Sequence, residues 1–389
     1  MMSDLRDVIV VGAGPAGLYA AWRLAQEGLE VTVVEEHPVV GVPTHCTGLV
    51  SAEVDEYFKI PPSIVLHRPL RCLVISPGGV TADFTNPGEE LAAIDRGAFD
   101  QALAVSAQAA GATVITGHRV DTVTIGSEHV EVRTAAASPL RGRVLVLACG
   151  VTYRFHGLMD AGVPAPLLHS AQLELEAEPA TALEIYLGKR VAPGGFGWLV
   201  PIQRGERSYL KAGVLLRGDA RAHLRRLLAQ PSIAARLKGV PGEPIRRLVP
   251  VGWARRSFGG RVVAVGDAAG LTKPVTGGGI FYSLYSSAVA AETLVEALRD
   301  DDLSAARLSR YETRWRQRLV PEMRAASWFR RVVANLSDGE LDQFVEAAAS
   351  DAVQAVVTAT ARFNWHRPVI MALVRQRGIK SILLRVLFR

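Results

Sequence analysis

Residues 7–36 read DVIVVGAGPAGLYAAWRLAQEGLEVTVVEE, and this stretch decides the fold. Val8–Val11 is a short apolar run with the character of a buried strand. Gly12, Gly14 and Gly17 follow as G-x-G-x-x-G, with Pro15 and Ala16 between them. A helical pattern comes next, with Leu18, Ala21, Leu24 and Ala25 on one face. Val31–Val34 is a second strand, and it ends in Glu35, 18 residues past Gly17. Each glycine is there for a different physical reason. Gly12 permits the tight turn, Gly14 lets backbone approach a pyrophosphate, and Gly17 lets helix and strand close together. The free N–H groups of the helix start favour phosphate, and Glu35 can accept hydrogen bonds from ribose hydroxyls. Strand, turn, helix, second strand and terminal acid together predict a dinucleotide site.

Composition sets the frame around that site. The chain has 389 residues, 49% apolar and 21% charged, enough to bury a large core and to exclude wholesale disorder. Formal net charge is +6, but residues 303–389 alone hold 15 Lys+Arg against 7 Asp+Glu. The first 302 residues are therefore slightly acidic, which argues against a nucleic-acid-coating protein. Cys46, Cys72 and Cys149 have no pairing or metal-ligand spacing, so neither a disulfide framework nor a metal site is expected. No run of 18 uncharged apolar residues exists, so no bilayer-spanning helix is expected.

A second glycine cluster selects the nucleotide. Residues 261–284 read RVVAVGDAAGLTKPVTGGGIFYSL. Strand Val262–Val265 leads to Gly266-Asp267, then to Gly277-Gly278-Gly279, and a helix is predicted to open at about Ile280. This resembles the second flavin fingerprint of the para-hydroxybenzoate hydroxylase-like flavoproteins. The resemblance implies that Asp267 hydrogen-bonds the ribityl chain of FAD. It also implies that the Ile280 helix start faces the flavin pyrimidine, where reduction builds negative charge. AIDRGAFDQAL, residues 93–103, resembles that family's helix start, with Asp95 as N-cap and Arg96 near the cofactor; a solvated charge pair is the plainer alternative. Ala148-Cys149-Gly150 departs from the hydroxylases, which carry Asp-Gly there, so their nicotinamide route is not supported, and Cys149 reads as a buried structural residue.

Two further motifs resemble the geranylgeranyl reductase family. Cys46-Thr47-Gly48 matches its C-x-G segment, where the cysteine lies near the flavin. Gly194-Gly195-Phe196-Gly197-Trp198-Leu199-Val200-Pro201 matches its Y-x-W-x-F-P motif at Trp198 and Pro201, with Phe196 for Tyr. The glycine pair expected downstream is reduced to Lys211-Ala212-Gly213. The resemblance covers roughly residues 5–320. It implies reduction of isoprenoid double bonds by hydride from reduced FAD. Cys46 would be proton donor or positioning group, and Phe196, Trp198 and Pro201 would serve the substrate. Phe281 and Tyr282 would either add to the channel or pack in the core. The external electron donor is left open between NAD(P)H and a ferredoxin-like protein.

The expected architecture is α/β. A discontinuous Rossmann-like FAD domain (1–60, 91–155 and 250–300) carries an inserted antiparallel-sheet substrate domain (61–90 and 156–249). A helical C-terminal region spans 301–389. Turns are predicted at Pro77-Gly78-Gly79 and Asn86-Pro87-Gly88, and a helical insertion at Arg221–Leu237. The tail VIMALVRQRGIKSILLRVLFR, residues 369–389, holds five basic residues and no acid. Gly378 is expected to split it into two helices. Ile379, Ile382, Leu383, Val386 and Leu387 form one apolar stripe, which reads as interfacial or as packed on the protein's own surface.

The leading expectation is therefore an FAD-dependent reductase of a polyprenyl lipid or isoprenoid quinone, in the cytoplasm at the inner face of the membrane. An aromatic monooxygenase is the main alternative. A flavin halogenase has W-x-W-x-I-P where this chain has F-G-W-L-V-P, and a non-catalytic membrane-surface flavoprotein is the last alternative.

Overall fold

The computed structural model describes residues 5–85, 90–135 and 137–387. The Asn86-Pro87-Gly88 turn, the side chains of Val386 and Leu387, and Arg389 lie outside the described residues.

The first strand, Leu5–Val11, is the spine of an eight-stranded sheet. It pairs in parallel with Val31–Val34 on one side and Ala137–Leu147 on the other. Thr113–Ile115 and Val262–Ala264 extend the parallel array outward. Strands buried on both faces explain the unbroken Val/Ile/Leu runs in the sequence. Helix α1 (Pro15–Gln26) follows the first strand, and α2 (Arg96–Ala109) precedes Thr113–Ile115. Asp95 caps α2 by accepting from the Ala98 N–H at 3.0 Å.

The second sheet has seven strands, ordered Ile245–Pro250, Leu167–Glu176, Arg207–Leu216, Phe196–Arg204, Ala182–Tyr186, Arg71–Ile75 and Thr81–Thr85. Its pairs are antiparallel except for Ala182–Tyr186 with Arg71–Ile75, which run parallel. Side-chain alternation gives it two faces. Phe196, Trp198, Val200 and Ile202 project to one face. Leu199 projects to the other, onto α3 (Ala220–Leu228) and the short α4 (Pro231–Ala234). A small sheet of Leu49–Ser51, Leu91–Ile94 and Val65–His67 joins the two halves. The 61–90 stretch is thus shared: Val65–His67 pairs beside the dinucleotide fold, whereas Arg71–Thr85 completes the seven-stranded sheet.

Helix α5 (Ile280–Arg299) runs back from the glycine loop and packs on α1. The long α6 (Ala305–Ala334) lies over α5, followed by α7 (Asp338–Ala348), α8 (Asp351–Thr360), α9 (His366–Leu373) and α10 (Arg377–Leu387). The tail does form two helices, but the break falls at 374–376, and Gly378 lies inside α10. The α10 stripe is turned inward. Ile379, Ile382 and Leu383 are buried against Val332, Leu336, Leu341, Val345 and Val353 of the helical region. That corrects the interfacial expectation for these three residues: a neighbouring apolar surface within the fold covers them first. The outer face of α9–α10 carries Arg375, Arg377, Lys380 and Arg385, all exposed. No described helix is long and apolar enough to cross a membrane.

Candidate active site

One cleft of about 570 Å³ opens between the parallel sheet and the seven-stranded sheet. Gly12, Gly14, Pro15, Ala16, Glu35, Cys46, Arg96, Asp267 and Gly277 all line it. These residues are separated by up to 265 positions in the chain, and only the crossing of the two sheets brings them together.

The phosphate end follows from local geometry. Gly12 has φ +108, open to glycine alone without strain, and its turn delivers the chain into α1. A side chain at Gly17 would collide with the Gly12 carbonyl at 1.9 Å, so its absence lets helix and turn close. Gly14 caps α1 without a side-chain bond, and nothing lies within 4 Å of where its Cβ would stand. The first N–H groups of α1 therefore face open cleft, as pyrophosphate binding requires. Glu35 ends its strand nearly buried and accepts from the Ala13 N–H at 2.7 Å and the His37 N–H at 3.0 Å. Its carboxylate also meets His37 Nδ1 at 2.5 Å.

The redox end gathers Cys46, Arg96 and Asp267. Arg96 is partly buried and clamps Asp100 through two hydrogen bonds of 2.7 and 2.9 Å. Cys46 lines the same cleft, and its Sγ accepts from the Gly48 N–H at 3.4 Å. Burial works against the Arg96 charge, but Asp100 and the Cys46 sulfur outweigh it and raise its proton affinity. Asp267 is partly buried, and desolvation lifts its carboxyl to about 6, with Arg96 opposing the shift. The helix start at Gly279–Ile280 borders the same space. Open backbone at Gly14, an acid at Glu35, a partly buried acid at Asp267 and a second helix start form a donor and acceptor set that fits FAD. Gly278 lies one layer back, against the Lys273 side chain.

Phe196 and Trp198 do not line this cleft. Their rings meet at a tilt of 50°, 5.7 Å between centroids, and cluster with Leu168, Leu215, Val249 and Val251. Leu215 and Val249 in turn touch the space beside Gly277. Trp198 Nε1 is buried and has no partner among the described residues. Its indole lies flat on the opposite strand because Gly213 has no side chain: a Cβ there would be 2.2 Å from the ring. Pro201 sits on the opposite face of that strand by alternation. Phe281 and Tyr282 are core residues: Phe281 meets Tyr57 and Trp365 edge-on, and the Tyr282 hydroxyl donates to the Asn364 carbonyl. Cys149 is partly buried at the cleft wall, where burial raises its thiol to about 11.

Sequence reasoning missed Lys211. Its ammonium is buried and donates to the carbonyls of Thr47 at 2.9 Å and Ile94 at 3.0 Å. It thereby ties the seven-stranded sheet to the Cys46 loop and to the approach of α2. Thr47 Oγ1 also donates to Gln172 at 3.3 Å. The signal was present, since a lysine interrupts the apolar run YLKAGVLL at an inward position. His45 and Arg247 also line the cleft.

Comparison with known proteins places the fold and the family. Residues 10–68 match the NAD(P)-binding Rossmann-like domain, and residues 92–329 match the tryptophan halogenase family. Digeranylgeranylglycerophospholipid reductase 2 of Methanopyrus kandleri is 31% identical over 358 residues, 88% of this chain and 90% of that protein. The digeranylgeranylglycerophospholipid reductase of Methanocaldococcus jannaschii is 28% identical over 89% of this chain and 91% of its own length. Among solved structures, a geranylgeranyl bacteriochlorophyll reductase-like protein of Thermoplasma acidophilum superposes with TM-score 0.86 at 22% identity, covering 98% and 99% of the two chains. The flavin-dependent brominase Bmp2 superposes with TM-score 0.71 at 14% identity, covering 98% of both. The two structural likenesses concern the fold alone.

Proposed function

This chain belongs to the digeranylgeranylglycerophospholipid reductase family, and on that premise we propose that it saturates carbon–carbon double bonds of geranylgeranyl-type lipids as an FAD-dependent reductase. Its match to the tryptophan halogenase model over more than half its length makes it a member of that flavoprotein family too. The observation that carries the reductase reading is the meeting of Cys46, Arg96 and Asp267 in one cleft beside the dinucleotide turn.

Reduced FAD, when bound, supplies the hydride. The protein must hold the alkene in register and deliver one proton to the other carbon. Cys46 is assigned that proton, carried on Sγ. Arg96, which lines the same cleft, is assigned the part of steadying the charge left on the sulfur after transfer. Lys211 fixes the loop from behind. An unactivated alkene is a poor electrophile, so alignment and exclusion of water carry much of the rate.

A polyprenyl substrate lives in a membrane. At ~0.8 kcal/mol per CH₂, bringing a twenty-carbon chain into water costs on the order of 10 kcal/mol or more. We assign peripheral contact with anionic headgroups at the cytoplasmic leaflet to the basic outer face of α9–α10.

The test uses enzyme reduced chemically without oxygen, so that it does not depend on the physiological donor. Mixed with a geranylgeranyl lipid, it should yield product heavier by two mass units per bond. Cys46→Ala should keep FAD and lose turnover by roughly 10²-fold or more. No mass gain on lipid or quinone, or halogenation of an aromatic substrate with halide and dioxygen, would overturn the reading.

A further inference from the structure

The glycine loop reads LTKPVTGGG, residues 271–279, a run of small or apolar residues interrupted by one lysine. Lys273 is only 3% exposed. Its backbone closes the loop: the Lys273 N–H donates to the Gly278 carbonyl at 3.0 Å, and the Gly277 N–H donates to the Lys273 carbonyl at 2.8 Å. Its side chain then folds over Gly278, where a Cβ would stand 2.7 Å from Lys273 Cε and 3.1 Å from Nζ. Gly277, Gly279 and Ile280 line the cleft, and the Lys273 side chain stands behind them. A buried ammonium is costly unless its donors are used. The stretch between α8 and α9 supplies acceptors. Lys273 Nζ donates to the Phe363 carbonyl and to Asn364 Oδ1, both at 3.0 Å, and lies 3.7 Å from the centre of the Phe363 ring.

Asn364 is 1% exposed. Besides accepting from Lys273, it donates through Nδ2 to Ser51 Oγ at 2.9 Å and to Glu53 Oε2 at 2.6 Å. An ammonium only donates and a carboxylate only accepts, so these partners fix the amide in one orientation. The other Glu53 oxygen accepts from Trp365 Nε1 at 2.8 Å. Ser51 ends the strand Leu49–Ser51, which leaves the Cys46-Thr47-Gly48 loop. One side-chain amide therefore joins the glycine loop, the strand beyond Cys46 and the C-terminal helical region.

We propose that Lys273 tunes the flavin by holding a positive charge behind the glycine loop, and that Asn364 is the positioning residue that keeps the charge there. The proposal rests on the placement of FAD in the cleft and not on the identity of the lipid. The ammonium and the free N–H groups at the α5 start have the same sign, and both favour the negative charge that reduction builds. A charge held in the protein interior acts more strongly than one in water. Asn364 is neutral, so it satisfies the ammonium without cancelling it. It also keeps the Glu53 carboxylate one side chain away from the lysine.

The test is an anaerobic redox titration of the FAD-loaded protein against indicator dyes, with no lipid present. Lys273→Met keeps the length of the side chain and removes its charge. It should move the reduction equilibrium about tenfold or more toward oxidised flavin, which is about 30 mV for a two-electron couple. Asn364→Asp should move the potential the same way, because a carboxylate there offsets the ammonium. Tyr282→Phe removes only the hydroxyl bond to the Asn364 carbonyl, so it should lower the melting point and leave the potential at the parent's value. A Lys273→Met protein with the parent's potential, or a higher one, overturns the proposal. Where that variant does not retain FAD, an unchanged potential in Asn364→Asp overturns it instead. Loss of FAD from both assigns the pair to cofactor retention and overturns the tuning role, as does a Tyr282→Phe shift as large as the other two. Because no lipid enters the titration, an unmoved potential leaves the reductase reading standing. A protein that shifts as expected and still saturates no lipid loses that reading and keeps this one.

Discussion

Burial lifts the Asp267 carboxyl to about 6 from its ordinary 3.8, so the folded protein holds this proton more tightly than the unfolded chain. The sign of the linkage follows: the carboxyl costs nothing below about pH 4, and its penalty grows as pH rises to about 6. Above that it is fully present, at roughly 3 kcal/mol for a displacement of this size. In the FAD-stripped protein, Asp267→Asn should raise the melting temperature at pH 7.5 and leave it almost unchanged near pH 4. The same variant should bind FAD about tenfold more weakly, since a charged acceptor is lost. Parallel pH profiles for the two apoproteins would contradict the assignment. This residue was singled out in the sequence by its place in a stretch that resembles the second flavin fingerprint. Lys211 was not, since its partners are carbonyls 117 and 164 positions away.

At the scale of elements, two glycines make opposite predictions. Gly213 sits under the Trp198 ring, so Gly213→Ala should cost about 1–3 kcal/mol and shift the tryptophan fluorescence. Gly14 faces open cleft, so Gly14→Ala should leave apoprotein melting nearly unchanged and weaken FAD binding. Melting curves with and without cofactor separate the two. If Gly213→Ala melted like the parent, the flat packing of the indole on the strand would be wrong. The α1 turn was readable because its roles are local. The Trp198–Gly213 contact was not, because strand register sets it and the two residues are 15 positions apart.

At the scale of the whole molecule, the charge asymmetry acquires a place. The apolar stripe of α10 is spent inside the fold, so removing the helix would expose core and confuse any binding assay. Neutralising its outer face avoids that. The triple variant Arg377→Gln, Lys380→Gln, Arg385→Gln should keep the parent's melting point. It should also lose sedimentation with vesicles containing anionic phospholipid, with the parent's binding falling as salt rises. Unchanged sedimentation would remove this face from any membrane role.

The sequence by itself determined the dinucleotide fold and its glycine turn, and the family resemblance singled out Cys46, Arg96 and Asp267 as candidates. Those features depend on short-range geometry: turns that need glycine, helix starts that need free N–H groups, and strand ends that carry an acid. Only the tertiary structure decided where the α10 stripe goes, what Lys211 holds, and that Asn364 meets Lys273. Burial and pairing are properties of surfaces brought together from distant parts of the chain. A lysine or arginine in an apolar run signals that something must satisfy it, but the partner is fixed by packing.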